Sequence, residues 1–275
     1  VTDPKWAVAT ERGRYYRDPA GGPDLISVTN ALSSIAKPAL TPWAAGMTAD
    51  AVIADPIAVA RRARTEPTAL RKELVAVHRQ YTERAQNLGS RVHNRAQAMV
   101  LGVPYPADPE VEPYARQLAR FFRLWRVDLA RDVEAVETTV MHRQYGYAGT
   151  GDLWVWLPTG LYERRQLWLI DHKTSAHKPA DTVYDEQPLQ LAGLRHAPEW
   201  LLPDDTTEPA PRVHRTALLN LRPRGHRLIE VPSGPEQFRA FLSAMRTARY
   251  LHNAPGKYPA VVPPWAPGAS ERKAA

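Results

Sequence analysis

Three runs dense in Val, Thr, Trp, Leu and Ile follow one another at residues 133–142, 147–157 and 166–173, with helical text on either side. They read as strands, because β-branched and aromatic side chains suit a pleated, half-buried surface. The turns between them fall at 144–146 and 158–165, so the second and third runs form a hairpin. Upstream, across residues 29–129, Ala, Leu, Arg and Glu recur at helical spacing, punctuated by Pro38, Pro42, Pro56 and Pro67. Ser90 is expected to cap a helix beginning at VHNRAQAMVLG. Downstream come a helix at about 184–197, strands at 213–221 and 226–231 joined by RPRG, and a helix at about 235–252. The order of helices, three strands, helix, two strands and helix points to an α/β domain with a mixed sheet.

Four segments follow from this. Residues 1–28 are polar and Gly/Pro-rich and read as an arm or a short hairpin. Residues 29–130 form a helical region, 131–253 the α/β core, and 254–275 a flexible Pro-rich tail. The proline-rich stretches at 106–113 and 202–212 read as loops.

The chain has no cysteine, which removes disulfides, thiolate zinc sites, cysteine nucleophiles and iron–sulfur clusters. No apolar run approaches the roughly 20 residues of a membrane span. The first residues lack the apolar stretch of a signal peptide, so the expectation is a cytosolic protein with no membrane partner. Lys and Arg outnumber Asp and Glu 36 to 29, for a net charge of +7. Such an excess suits a polyanionic partner, nucleic acid first among them.

The chemistry concentrates between Gly149 and Lys173. GTGDLWVWL places Asp152 at the start of the hairpin, and WLIDHKTS brings Asp171 and Lys173 at its far end. Side chains alternate along a strand, so Asp171 and Lys173 share a face with Leu167 and Leu169, while His172 points away. A carboxylate and an ammonium ending an apolar row must be paired, hydrogen-bonded or metal-bound. Asp152 and Asp171 together would hold a hard divalent cation through oxygen, leaving water positions open. Lys173 would orient a water or neutralise charge growing on a phosphate. Spacing alone leaves a salt-bridged strand pair as an equal alternative.

These stretches, with YDEQPLQLAGLRHA after them and GSRVHN before them, resemble the RecB-like branch of the PD-(D/E)xK nuclease superfamily. The match is nearest to phage-type exonucleases related to the CRISPR-associated exonucleases, and it covers residues 26–197. The resemblance implies a restriction-endonuclease-like core, a central mixed sheet flanked by helices, behind a helical N-terminal half. It implies metal ligation by His93, Asp152, Asp171 and the backbone carbonyl of His172, with Mg2+ or Mn2+ as the ion. Lys173 becomes the catalytic lysine, and Gln190 matches a glutamine that approaches the DNA and the active site. Leu194 stands where that motif carries a tyrosine, whose role would fall to another residue such as Tyr184. The four cluster-binding cysteines of many CRISPR-associated members are missing, so no iron–sulfur cluster is expected.

Glu137, alternating with apolar neighbours on the first strand, is a candidate accessory carboxylate. Against His93 stands a satisfied core histidine beside Val92, Ala96, Met99 and Val100. Core packing is the default for Trp154 and Trp156, and a surface position for Lys37 and the remaining histidines. The expected activity is metal-dependent hydrolysis of single- or double-stranded DNA in recombination, repair or processing in a bacterial host, by an exonuclease more than an endonuclease. The alternatives are a nucleic-acid-binding module without catalysis, and an endonuclease or nuclease subunit working with a helicase or recombination partner. Oligomeric state and polarity of digestion are not encoded in any motif.

Overall fold

Of the two readings of residues 1–28, the short hairpin is the one seen, and it is part of the sheet. In the computed structural model, which describes residues 4–160, 165–258 and 260–261, β1 (Ala7–Thr10) and β2 (Gly13–Tyr16) form a hairpin. β3 (Leu25–Ser27) pairs with β2 and buries Leu25 and Ile26. Ser27 then caps α1 (Val28–Ala31), its hydroxyl accepting from the Asn30 N–H at 3.0 Å.

After a 3-10 turn at Leu32–Ser34 come α2 (Leu40–Ala54), α3 (Pro56–Thr65) and α4 (Pro67–Leu101). Pro56 and Pro67 open their helices, where a missing N–H costs nothing. The cap expected at Ser90 is not there: α4 runs through it, 35 residues and about 52 Å long. Gly89 and Ser90 weaken helix propensity without removing a backbone donor, so periodicity on both sides carries the helix on. It stops at Gly102, whose φ of 66° supplies the left-handed turn that ends it. α5 (Glu112–Leu124) and the short α6 (Leu129–Asp132) lead into the strands.

β4 (Val133–His142), β5 (Tyr147–Pro158) and β6 (Arg165–Thr174) are antiparallel neighbours, as the hairpin reading requires. The expected turn at 158–165 lies partly outside the described residues. α7 (Glu186–Arg195) carries the chain over the sheet towards β9, after a detour through β7 (Glu199–Leu201) and β8 (Thr207–Pro209). The 202–212 loop reading is therefore corrected. β7 extends the sheet beyond β4, and β8 pairs with β7 as an edge strand ending in Pro209. An edge tolerates a proline because no ladder N–H is needed there. β9 (Arg215–Arg222) runs parallel to β6, β10 (Gly225–Glu230) is antiparallel to β9, and α8 (Pro235–Asn253) closes the chain. Most of the expected Pro-rich tail, 259 and 262–275, lies outside the described residues.

The result is an α/β fold on a mixed sheet with a core on each face. On one face Trp154, Leu167, Leu169 and Leu218 pack with Leu191 and Leu194 of α7 and with Phe241 and Met245 of α8. On the other, Leu153, Val155, Ile170 and Leu219 pack with Val92 and Ala96 of α4 and with Leu118 and Phe121 of α5. Strand alternation divides β5 between the two: Leu153 and Val155 go one way, Trp154 the other. His142 is buried, not a surface residue, and lies against Tyr145 and Tyr147. Among the described residues no helix is long and apolar enough to cross a membrane.

Candidate metal centre

One edge of β5 is shared between two strands. β3 pairs with it at Tyr147 and Ala148, and β6 joins it only from Leu153 onward. Residues 149–152 thus face an opening in the sheet. Asp152 stands there. Glu137 faces it on β4, between the pairs Val136–Leu153 and Thr138–Gly151. Asp171 follows immediately after Ile170, the last β6 residue paired with β5. Three carboxylates thereby form one row across three neighbouring strands. Where the strands part, the His172 N–H donates to Asp152 Oδ2 at 2.6 Å. The N–H and C=O of a strand residue face the same neighbour, so the His172 carbonyl is also directed towards this opening.

Helices on opposite faces add the remaining groups. The stripe of Val92 and Ala96 docks α4 on the sheet, and His93 beside it puts Nδ1 3.2 Å from Glu137 Oε1 and 3.4 Å from Asp152 Oδ1. From β6, Lys173 Nζ lies 2.7 Å from Asp171 Oδ2. Gln190 of α7 closes a ring: its Nε2 donates to Asp171 Oδ1 at 3.0 Å, and its Oε1 accepts from Lys173 Nζ at 3.1 Å. Asp152 and Asp171 are buried, so this network works in a medium where charge is costly and partners matter.

The titration of each group follows from its neighbours. Burial pushes the Glu137 carboxyl up, and the nearby Asp152 adds to it against the pull of His93. Burial likewise raises Asp171, more than Lys173 lowers it. Asp152 goes the other way: burial would raise it, but His93 and the N–H and ring of His172 hold it well below the usual carboxylate range. Burial disfavours a charged imidazole at position 93, yet Asp152 and Glu137 outweigh it and raise His93 well above its ordinary value. Lys173, despite burial, stays charged opposite Asp171. Even with Lys173 and His93 both positive, one carboxylate of the row has no balancing charge. A divalent cation could supply that charge, and carboxylate oxygens with an imidazole are a donor set such an ion accepts.

Five of the residues singled out in the sequence, together with Glu137, therefore come together: His93, Asp152, Asp171, Lys173 and Gln190. Tyr184 does not join them; its hydroxyl meets Lys178 Nζ and its backbone N–H bonds Gln187. Leu194, at the motif's tyrosine position, is a core residue lying against Gly149. Lys37 pairs at 2.9 Å with Glu186, the first residue of α7. Trp154 is wholly in the core, and Trp156 donates its indole N–H to Glu134. Glu137 has a φ of 50°, a left-handed conformation that costs a non-glycine residue of order 1–3 kcal/mol and is concentrated at functional sites.

The His172 side chain, for which the resemblance implies no role beyond its backbone carbonyl, also lies beside this group. It does point away from Asp171, but onto the face where α4 carries His93, with ring centroids 5.8 Å apart. The side chain is 3% exposed, and neither ring nitrogen has a hydrogen-bond partner. Burial takes its pKa down to about 4, so the ring is neutral near pH 7. A buried polar atom left unpaired costs about 1–3 kcal/mol. The legible signal was a polar residue ending the apolar row Trp168, Ile170, His172. No family model matches this chain, and no curated protein matches it.

Proposed function

We propose that the chain is a divalent-cation-dependent deoxyribonuclease, an exonuclease with a restriction-endonuclease-like core, acting on DNA in the bacterial cytoplasm. The observation that carries the reading is the carboxylate row Glu137–Asp152–Asp171, set with His93, Lys173 and Gln190 where the edge of β5 is left open. The motif resemblance and the positive net charge support it.

Asp152, Asp171, His93 and the His172 carbonyl would hold the cation. Bound there, Mg2+ or Mn2+ supplies Lewis acidity towards a phosphoryl oxygen and makes a water more acidic. The residues do the rest. Lys173, held by Asp171 and Gln190, presents a positive charge at a fixed point beside the carboxylates, suited to orienting the attacking water or neutralising charge on the phosphate. Gln190 bonds both partners of this ion pair and so fixes their orientation. Lys and Arg elsewhere on the surface would supply most of the affinity for the DNA backbone.

The test is direct. Purified protein incubated with linear DNA and Mn2+ or Mg2+ releases nucleotides, and EDTA stops it. Failure to cleave any DNA or RNA form with either ion defeats the reading and favours a nucleic-acid-binding module. Cleavage that appears only with an added helicase points to a nuclease subunit.

A further inference from the structure

We infer that the His172 imidazole is itself a ligand of the cation, so that the centre presents two imidazoles and favours a transition ion such as Mn2+ over Mg2+. The inference deepens the nuclease reading and rests on it only for the presence of a cation.

Three observations carry it. One donor atom each from His93, Asp152 and His172 lies within 4.8 Å of the other two. Two ligands on opposite sides of an ion with bonds of about 2.1 Å are separated by roughly 4.2 Å, so the three need close by less than about an ångström. Both ring nitrogens of His172 are buried without partners, although the backbone of the same residue is satisfied by Asp152. The ring also faces the helix that carries His93, so the two imidazoles approach the Asp152 carboxylate from one face of the sheet.

The chemistry sets the preference. Imidazole nitrogen suits Mn2+ less than it suits Fe2+, Co2+ or Zn2+, but all of these take it more readily than Mg2+ or Ca2+ do. A site of carboxylates with one imidazole remains serviceable for Mg2+. A second imidazole in place of water tilts it to the transition ions. If His172 were only a filler between α4 and β6, a ring of the same size without nitrogens would serve equally well.

The experiment uses Mn2+ as the probe and no DNA, so its outcome is independent of whether the protein cleaves nucleic acid. Pulsed electron-spin-echo spectroscopy on the full chain loaded with one Mn2+ counts coordinated nitrogens. The wild type shows two, and His172→Phe and His93→Phe show one each. Calorimetry gives a fall in Mn2+ affinity of about tenfold or more for His172→Phe, with Mg2+ affinity changed less than threefold. The variant folds at least as well as the wild type without metal, since it removes two unpaired buried nitrogens; if it does not fold, His172→Asn takes its place, and the wild-type nitrogen count decides alone. One nitrogen or none in the wild type overturns the inference. So does Mn2+ affinity unchanged in His172→Phe, or no Mn2+ binding at all.

Discussion

His93 must give up a proton before it can hold a cation. Without metal, its Nδ1 lies 3.2 Å from Glu137 and 3.4 Å from Asp152, and the pair keeps the imidazole protonated well above its ordinary value near 6.5. At an effective dielectric of about 20, a charge pair at this range is worth on the order of 4 kcal/mol. Two such contacts exceed the several kcal/mol that partial burial takes away. The sign follows. Raised protonation stabilises the metal-free fold fully below pH 6.5, and that contribution is lost as pH rises through the folded pKa. Binding runs opposite, because the cation displaces the proton. Mn2+ affinity should therefore rise close to tenfold per pH unit, about 1.4 kcal/mol, from roughly pH 6.5 until His93 deprotonates by itself. Calorimetry in buffers of different ionisation enthalpy should count close to one proton released per ion at pH 7. His93→Gln should bind more weakly and flatten the slope. A wild type that releases no proton and binds equally well at pH 6.5 and 8 would refute the assignment of His93.

Other consequences can be measured separately. Lys173→Ala should still bind the cation but lower the initial cleavage rate by about 10²-fold or more, with DNA affinity by gel shift little changed. Asp132, buried where α6 meets β4, is brought down to about 2 by Arg131, with help from the Asp128 N–H and Arg165. Allowing for the exposed Arg131, Asp132→Asn should cost roughly 1–2 kcal/mol at pH 7; in urea melts the deficit should shrink as pH falls from about 4 to about 2, and a deficit constant with pH would remove the ion-pair explanation. A Cβ on Gly151 would overlap the Trp154 ring, so Gly151→Ala should destabilise by about 1–3 kcal/mol; an unchanged melting temperature would contradict this packing.

Much of the core is legible because its strands are long and carry their pattern locally. The runs at 133–142, 147–157 and 166–173 coincide with β4, β5 and β6 to within a residue at each end. Asp152, Asp171 and Lys173 lie on one hairpin, so local alternation suffices to bring them together. Other features depend on contacts far apart in the chain. β7 and β8 are three residues each and exist only because β4 offers them an edge. β3 is equally short, and its parallel pairing with β5 over two residues is what leaves the site open. For His172, alternation gave the right direction but not what lies there, because that depends on α4 packing on the far face. Ser90 shows the converse: a good capping residue does not start a helix where the preceding turns continue without a break.

Asp171→Asn tests, with little change of shape, whether the acidic row holds a cation for phosphodiester hydrolysis. Initial rates on end-labelled linear DNA with Mn2+ should be compared with gel-shift affinity in the same buffer, for the wild type and the variant. The wild type should cleave, whereas Asp171→Asn should bind DNA as well or slightly better, having lost a carboxylate that repels phosphate, and should not cleave detectably. Cleavage by Asp171→Asn at the wild-type rate would contradict that role of the row.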